Sequence, residues 1–194
     1  LERMLEQMLD EGDSREVSRF LRAVDVRIDG FRVERAPEWR GQRVFVRHEV
    51  DGKAYELRLS EESAGTQKLM GLAAYLMTAL ERGGTVVVDE LDAKLHPKLL
   101  RYVILLFKDP GVNKSGAQLI FSSQDVSTMR NDVFRRDEIW FAARGEGEAS
   151  QLWSLADIHE ANGNLVSKNA AFDKQYLSGR YGADPYLTRI EEWD

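Results

Sequence analysis

Between residues 84 and 97 the sequence reads GTVVVDELDAKLHP, a run of β-favouring residues that ends on two adjacent carboxylates, Asp89 and Glu90. Such a pair has two readings. One is an acidic surface turn, since Asp and Glu are common surface residues. The other is a nucleotide site, where one carboxylate holds a magnesium ion and the next handles the attacking water. A second stretch, AQLIFSSQD, closes in the same manner, with Ser122, Ser123, Gln124 and Asp125 following an apolar run. Ligands of parallel sheets sit beyond the carboxyl ends of the strands, so two neighbouring strands of this kind would bring polar groups to one edge. Ahead of both lies SAGTQK, Ser63 to Lys68, a Gly-containing turn at the start of a long apolar segment. Free backbone N–H groups at such a helix start, with the helix dipole behind them, suit a phosphate. The same residues also suit a plain helix cap, provided by Ser63 or Thr66, just as Asp92 suits a solvated turn.

The surrounding pattern supplies the elements that would carry these residues. LERMLEQMLDEGD and SREVSRFLRAVD have apolar residues at helical spacing, with Ser14 placed to cap the second, and are expected as helices packed on a sheet. VRIDGFRVERA then alternates, and VFVRHEV and KAYELRL form two further alternating runs joined by Asp51-Gly52, a favoured tight-hairpin dipeptide. An antiparallel region is expected over residues 25 to 59. Beyond it the pattern becomes strand, helix, strand: TQKLMGLAAYLMTALERGG reads as a helix stopped by Gly83-Gly84, TVVVDE as a buried strand, and PKLLRYVILLFKD as a helix with Pro97 in its first turn. AQLIFSS, EIWFAAR and ASQLWSL follow as strands. Apolar strands between helices predict an α/β fold with a mostly parallel sheet flanked by helices, beside the antiparallel hairpin region near the N-terminus.

Composition narrows the class. With 194 residues, 43% of them hydrophobic, the chain is long enough for one well-filled domain and short for two. It has no cysteine and three scattered histidines, which excludes disulfides and Cys-based zinc sites and disfavours an imidazole metal cage. A cytoplasmic location fits that composition. The net charge of -6 does not support nucleic acid as a general partner, although a local basic patch fits within that total. No apolar run reaches the roughly 20 residues of a membrane span, so no membrane association is expected.

Order and spacing carry a further indication. A Ser-x-Gly turn, an apolar helix, a strand ending in Asp-Glu, the D-x-x-L-H-P run and a strand ending in small polar residues together resemble the C-terminal part of an ABC-type ATPase head of the P-loop NTPase class. In detail they resemble the bacterial AAA15-type family met in abortive-infection and other anti-phage systems. RRDEIWFAAR and the closing FDKQYLSGRYGADPYL, Phe172 to Leu187, match motifs of that family. The resemblance covers residues 55 to 194 well and the first third loosely. It implies ATP and Mg2+ as cofactors, with Asp89 binding the metal and Glu90 orienting or deprotonating water. It further implies Ser63, Gly65 and Thr66 as the signature turn that meets ATP on a partner protomer, and Asp92 in the loop linking two sites across a dimer. Gln124 stands at the last site position, where the family has His.

One motif is missing. No G-x-x-x-x-G-K-[ST] loop occurs, and DPGVNKSG fails because Asn113 stands before Lys114 where Gly is required, so that stretch reads as a surface turn. With Leu1 as its first residue, the chain is therefore expected to be the C-terminal portion of a single ATPase domain. Residues 1–59 would hold the helices and antiparallel strands, and residues 60–194 the signature, Walker B and switch regions. The N-terminal half with the phosphate loop would be absent, and this portion alone inactive. The expected function is an ATP-binding and hydrolysing switch of a phage-defence or other regulatory system that dimerises with ATP. Its partners would be a second copy or the missing half, together with an effector protein. Two alternatives stand beside it: an inactive regulatory module, favoured by the missing loop and Gln124, and a metal-dependent nuclease-associated effector built on Asp89 and Glu90. Arg180, Tyr181 and Lys174 in the closing motif suit an effector or nucleic-acid contact, or equally a packed tail.

Overall fold

The computed structural model of the chain describes residues 14–24, 28–35, 42–144 and 149–183. The helix expected over residues 1–13 and the end of the closing motif beyond residue 183 lie outside the described residues. Contacts divide the chain into two compact units, Leu1–Gln124 and Asp125–Asp194.

In the first unit, helix α1 (Ser14–Ala23) buries Val17, Phe20 and Leu21 and packs on helix α2 (Ala64–Arg82). Strands β1 (Gly30–Arg35), β2 (Gln42–Val50) and β3 (Lys53–Arg58) form an antiparallel sheet in that order, as the alternation predicts. The β2–β3 turn places Asp51 at φ 52° and Gly52 at φ 72°, the paired positive φ values that a two-residue hairpin of this hand requires. Val44 and Val46 on one face are buried, while the opposite face carries charge, with Arg32 bridging Glu56 at 2.7 Å across β2 and stacking over Phe45.

Helix α2 repeats its buried residues at helical spacing: Leu69, Ala73, Leu76 and Leu80, with Met70 and Ala74 beside them. Gly83 stops it at φ 80°, where a Cβ would come within 2.9 Å of the Ser115 carbonyl oxygen, so both the backbone hand and the close approach demand glycine. Strand β4 (Thr85–Val88) pairs in parallel with β5 (Gln118–Phe121), Val88 opposite Phe121. Between them runs helix α3 (Pro97–Lys108), its N-cap His96 accepting the Lys98 N–H through Nδ1 at 3.1 Å. DPGVNKSG is the expected turn. The Asn113 side chain holds it shut by donating to the Phe107 and Ala117 carbonyls and accepting the Ala117 N–H.

Two expectations need correction. Strands β4 and β5 are not buried on both faces, since Val87 is 73% and Ile120 56% exposed. The parallel sheet, among the described residues, consists of those two strands, because β6 (Trp140–Arg144) and β7 (Ser150–Ser154) in the second unit pair antiparallel. The physical reason lies in the connection. A parallel crossover takes a dozen or more residues, and GEGEA between Arg144 and Ser150 is far too short for one.

The second unit is held by an aromatic core. Phe141 of β6 stacks on Tyr176 of helix α4 (Phe172–Leu177) at 5.7 Å and 6°, and meets Tyr181 at 5.3 Å. Trp153 donates from Nε1 to the Tyr181 carbonyl at 3.2 Å, and the Tyr181 hydroxyl donates to Gln175 Oε1 at 2.7 Å. Of the three residues with two readings in the closing motif, Tyr181 is thus a packed one, while Arg180 and Lys174 stay exposed.

Burial, reinforced by the charge of Glu160, pushes the Tyr181 hydroxyl up to about 12. An acid raised in the folded state contributes stability that is intact below its ordinary value of 10.0 and is lost as pH climbs through the folded value. Denaturant melts should therefore weaken between pH 10 and 12, and Tyr181→Phe should flatten that loss. Identical pH slopes for the two proteins would rule the burial argument out.

Candidate functional site

Parallel pairing of β4 with β5 puts Asp89 and Glu90 at the same sheet edge as Ser122, Ser123 and Gln124, all beyond the carboxyl ends of the strands. The two carboxylates and Gln124 are exposed there. Ser122 does the local fastening. Its N–H donates to the Val88 carbonyl at 3.1 Å and its carbonyl accepts the Leu91 N–H at 3.0 Å, which carries the ladder past the last paired residues. Its hydroxyl accepts the Glu90 N–H at 2.8 Å and donates to Asp89 Oδ1. One serine thus grips both carboxylate-bearing residues and leaves Asp89 Oδ2 without a hydrogen-bond partner among the described residues. Glu90 sits at φ 48°, a left-handed conformation uncommon outside glycine that these contacts help to hold.

The turn Ser63–Thr66 is built as a helix start. Ser63 is the N-cap of α2 and accepts the Thr66 N–H through Oγ at 3.1 Å, so Ser63 rather than Thr66 caps the helix. Behind the turn, Gln67 donates from Nε2 to the Glu62 carbonyl at 2.8 Å, and the Glu62 carboxylate contacts His48 of β2 at 2.6 Å. Gly65 has a reason of its own. A Cβ there would lie 2.8 Å from the backbone oxygen of Lys94, so glycine alone lets the turn press on the loop after Glu90.

That loop, Leu91 to Lys94, carries Asp92, whose carbonyl accepts the Leu95 N–H at 2.9 Å. The Asp92 Oδ1 atom is buried with no hydrogen-bond partner among the described residues, an arrangement that costs about 1–3 kcal/mol and calls for an incoming donor. Lys68, at the start of the second turn of α2, donates from Nζ to the Glu90 carbonyl. Burial holds its ammonium below the usual lysine range, while the carboxylates of Asp92 and Glu90 pull the other way.

One continuous edge therefore collects Asp89, Glu90 and Gln124, with Ser63, Gly65 and Thr66 joined to it through Lys68 and the Gly65–Lys94 contact. No three His, Asp or Glu side chains gather into a metal cage among the described residues, so a cation at Asp89 would complete its shell with phosphate or water oxygens. Sequence reasoning missed the roles of Ser122 and Lys68. Ser122 was legible as a small polar residue at a strand end, whereas nothing in the residue order ties Lys68 to Glu90.

Gly65→Ala is expected to lower stability by about 1–3 kcal/mol, because its methyl group meets main chain rather than a flexible side chain. A chemical melt checks this. An unchanged midpoint would mean that the turn and the loop are not pressed together.

Known proteins now supply a frame. No curated protein matches the sequence. Among solved structures, an SMC ATPase chain from work on ATP-driven dimerisation and DNA-stimulated activation superposes with a TM-score of 0.53 at 18% identity, covering 78% of this chain and 88% of that one. At such identity the likeness concerns the fold alone, an α/β P-loop ATPase fold. Residues 2–130 match a family model for AAA domains, a span that holds β4, β5 and every candidate site residue. Since that span exceeds half the chain, the protein belongs to the family of AAA domains described by reference to the AbiEii toxin of a Type IV TA system.

Proposed function

We infer that this chain is the signature- and Walker B-bearing part of an ABC-type ATPase of the AAA15 kind, a switch that ATP closes into a head-to-tail dimer and hydrolysis reopens. The observation that carries the reading is the Ser122-fastened pair Asp89–Glu90 at the carboxyl edge of two parallel strands, with a capped glycine turn packed beside it. Asp89 would hold Mg2+, which when bound offsets charge on the triphosphate. Glu90 has an exposed carboxylate that makes no hydrogen bond among the described residues, the state a base needs in order to accept a proton from water. The N-terminus of α2 would face the terminal phosphate of ATP held by the partner, and the unpartnered Asp92 oxygen suits a donor arriving across the same dimer. The exposed apolar residues Val87 and Ile120 support a further segment, one bearing the phosphate loop, packed on that side of the sheet. The AbiEii reference in the family description supports a role in phage defence or a related regulatory system, read out through an effector.

A second reading, a regulatory module without turnover, rests on Gln124 and on the lack of a G-x-x-x-x-G-K-[ST] run in this sequence. Gln donates a neutral hydrogen bond where a protonated His would make a charge-assisted one, a difference on the order of 1 kcal/mol. That difference favours slowed hydrolysis over none.

In the protein carrying this chain, Glu90→Gln should keep ATP binding, accumulate an ATP-dependent dimer by light scattering, and lower phosphate release about 100-fold or more. Wild-type turnover by this variant would remove Glu90 as the base. Gln124→His should raise hydrolysis severalfold, on the order of the fivefold that 1 kcal/mol represents, with ATP affinity little changed. Equal rates for the two side chains would show that the position does not sense phosphate.

A further inference from the structure

Lys68 stands where two parts of the site meet. It begins the second turn of α2, two residues beyond Thr66, whose N–H is bound by the cap Ser63, so it is joined to the capped turn through continuous helix. Its Nζ reaches the main-chain carbonyl of Glu90. That carbonyl also accepts the Ala93 N–H at 3.0 Å, and the N–H of the same residue is held by Ser122 Oγ at 2.8 Å. Glu90 is thus gripped on both sides of a left-handed residue, by the neighbouring strand through Ser122 and by the signature helix through Lys68.

The two grips differ in kind. Ser122 belongs to the β-ladder and moves with the sheet. Lys68 extends on a flexible stem from a helix start that, on the proposed function, faces the phosphate of a partner's ATP. The charges that act on its ammonium, those of Asp92, Glu90 and the like-charged Lys94, all belong to Glu90 and the loop that follows it. A shift of the Ser63–Thr66 turn would therefore reach, through Lys68, the peptide group that carries the Glu90 carbonyl, next to the Glu90 side chain.

We propose that Lys68 is a positioning residue that couples engagement of the Ser63–Thr66 turn to the alignment of Glu90 within one chain. In a head-to-tail dimer this links the two ATP sites: the turn reads the nucleotide of the partner, and Lys68 passes the contact to the carboxylate serving the chain's own nucleotide. The inference rests on the proposed function and deepens it.

The test compares wild type, Lys68→Met and Lys68→Arg in the protein carrying this chain, with ATP and Mg2+ as the probes. Met keeps the stem and loses the donor, and Arg keeps a donor at similar reach. Lys68→Met should dimerise with ATP as wild type does and keep its KM within about twofold, while kcat falls about tenfold and the dependence of rate on ATP loses its cooperativity. Lys68→Arg should recover most of kcat, and in the Glu90→Gln background the Lys68→Met change should have no further effect, since both act through one group. Wild-type kcat and cooperativity in Lys68→Met would overturn the coupling and leave the ATPase reading standing. Lost dimerisation in Lys68→Met together with no recovery in Lys68→Arg would overturn it in favour of a role in binding or folding. If wild type itself neither dimerises with ATP nor hydrolyses it, the functional reading falls and the coupling falls with it.

Discussion

Four hydrogen bonds from one residue fasten the acidic edge of this protein. Ser122 continues the β4–β5 ladder through its backbone N–H and carbonyl, then uses its hydroxyl to join Asp89 to the Glu90 N–H. A carboxylate on an ordinary loop samples many positions. Here the first is held by a hydroxyl, and the second follows a peptide unit bound to the neighbouring strand. Precision of this kind requires that β5 lie beside β4, in parallel and in one register, and the rest of the first unit is arranged to secure that.

The securing is done by helix packing and by two close approaches. Ala79, Leu80 and Ala117 form a small cluster against which Met77, Val86, Leu106 and Phe107 pack, so α2, α3, β4 and the entry to β5 share one apolar contact region. Small residues there let the backbones come near. At the end of α2 Gly83 admits the Ser115 carbonyl, and at its start Gly65 admits that of Lys94. The Ser115 hydroxyl donates to the Glu81 carbonyl at 2.7 Å, which ties the turn before β5 to the last turn of α2. Helix α2 is thereby clamped at both ends, and the orientation of its capped N-terminus is set by the strands it serves.

The second unit shows how a motif can be structural where a functional role is also plausible. Tyr176 and Tyr181 join its core: Tyr176 stacks on Phe141, and Tyr181 is 4% exposed with its hydroxyl and carbonyl both bonded. Gly179 and Gly182, at φ 75° and 68°, let the chain turn tightly on either side of the Arg180–Tyr181 pair. The recurrence of Tyr and Gly in the described part of that stretch thus has a packing explanation, while Lys174 and Arg180 present charge to solvent.

Much was readable in the residue order because it depends on local physics. Alternation over residues 44–58 with Asp51-Gly52 between specifies a hairpin, helical spacing with Ser63 and Gly83 at its ends specifies α2, and a strand that stops on Asp89-Glu90 specifies an acidic edge. What pairs with what is a different matter. The antiparallel partnership of β6 and β7 follows from a short connection, which strand-by-strand apolarity does not register. The grip of Ser122 on Asp89 and Glu90, the reach of Lys68 to the Glu90 carbonyl and the contact of Gly65 with Lys94 join residues about 20 to 35 positions apart, and only chain crossing and close packing in three dimensions bring such pairs together. The sequence by itself determined which residue types stand at the edge; the tertiary structure decided which of them hold the others in place, because holding is a property of distance and direction that residue order does not encode.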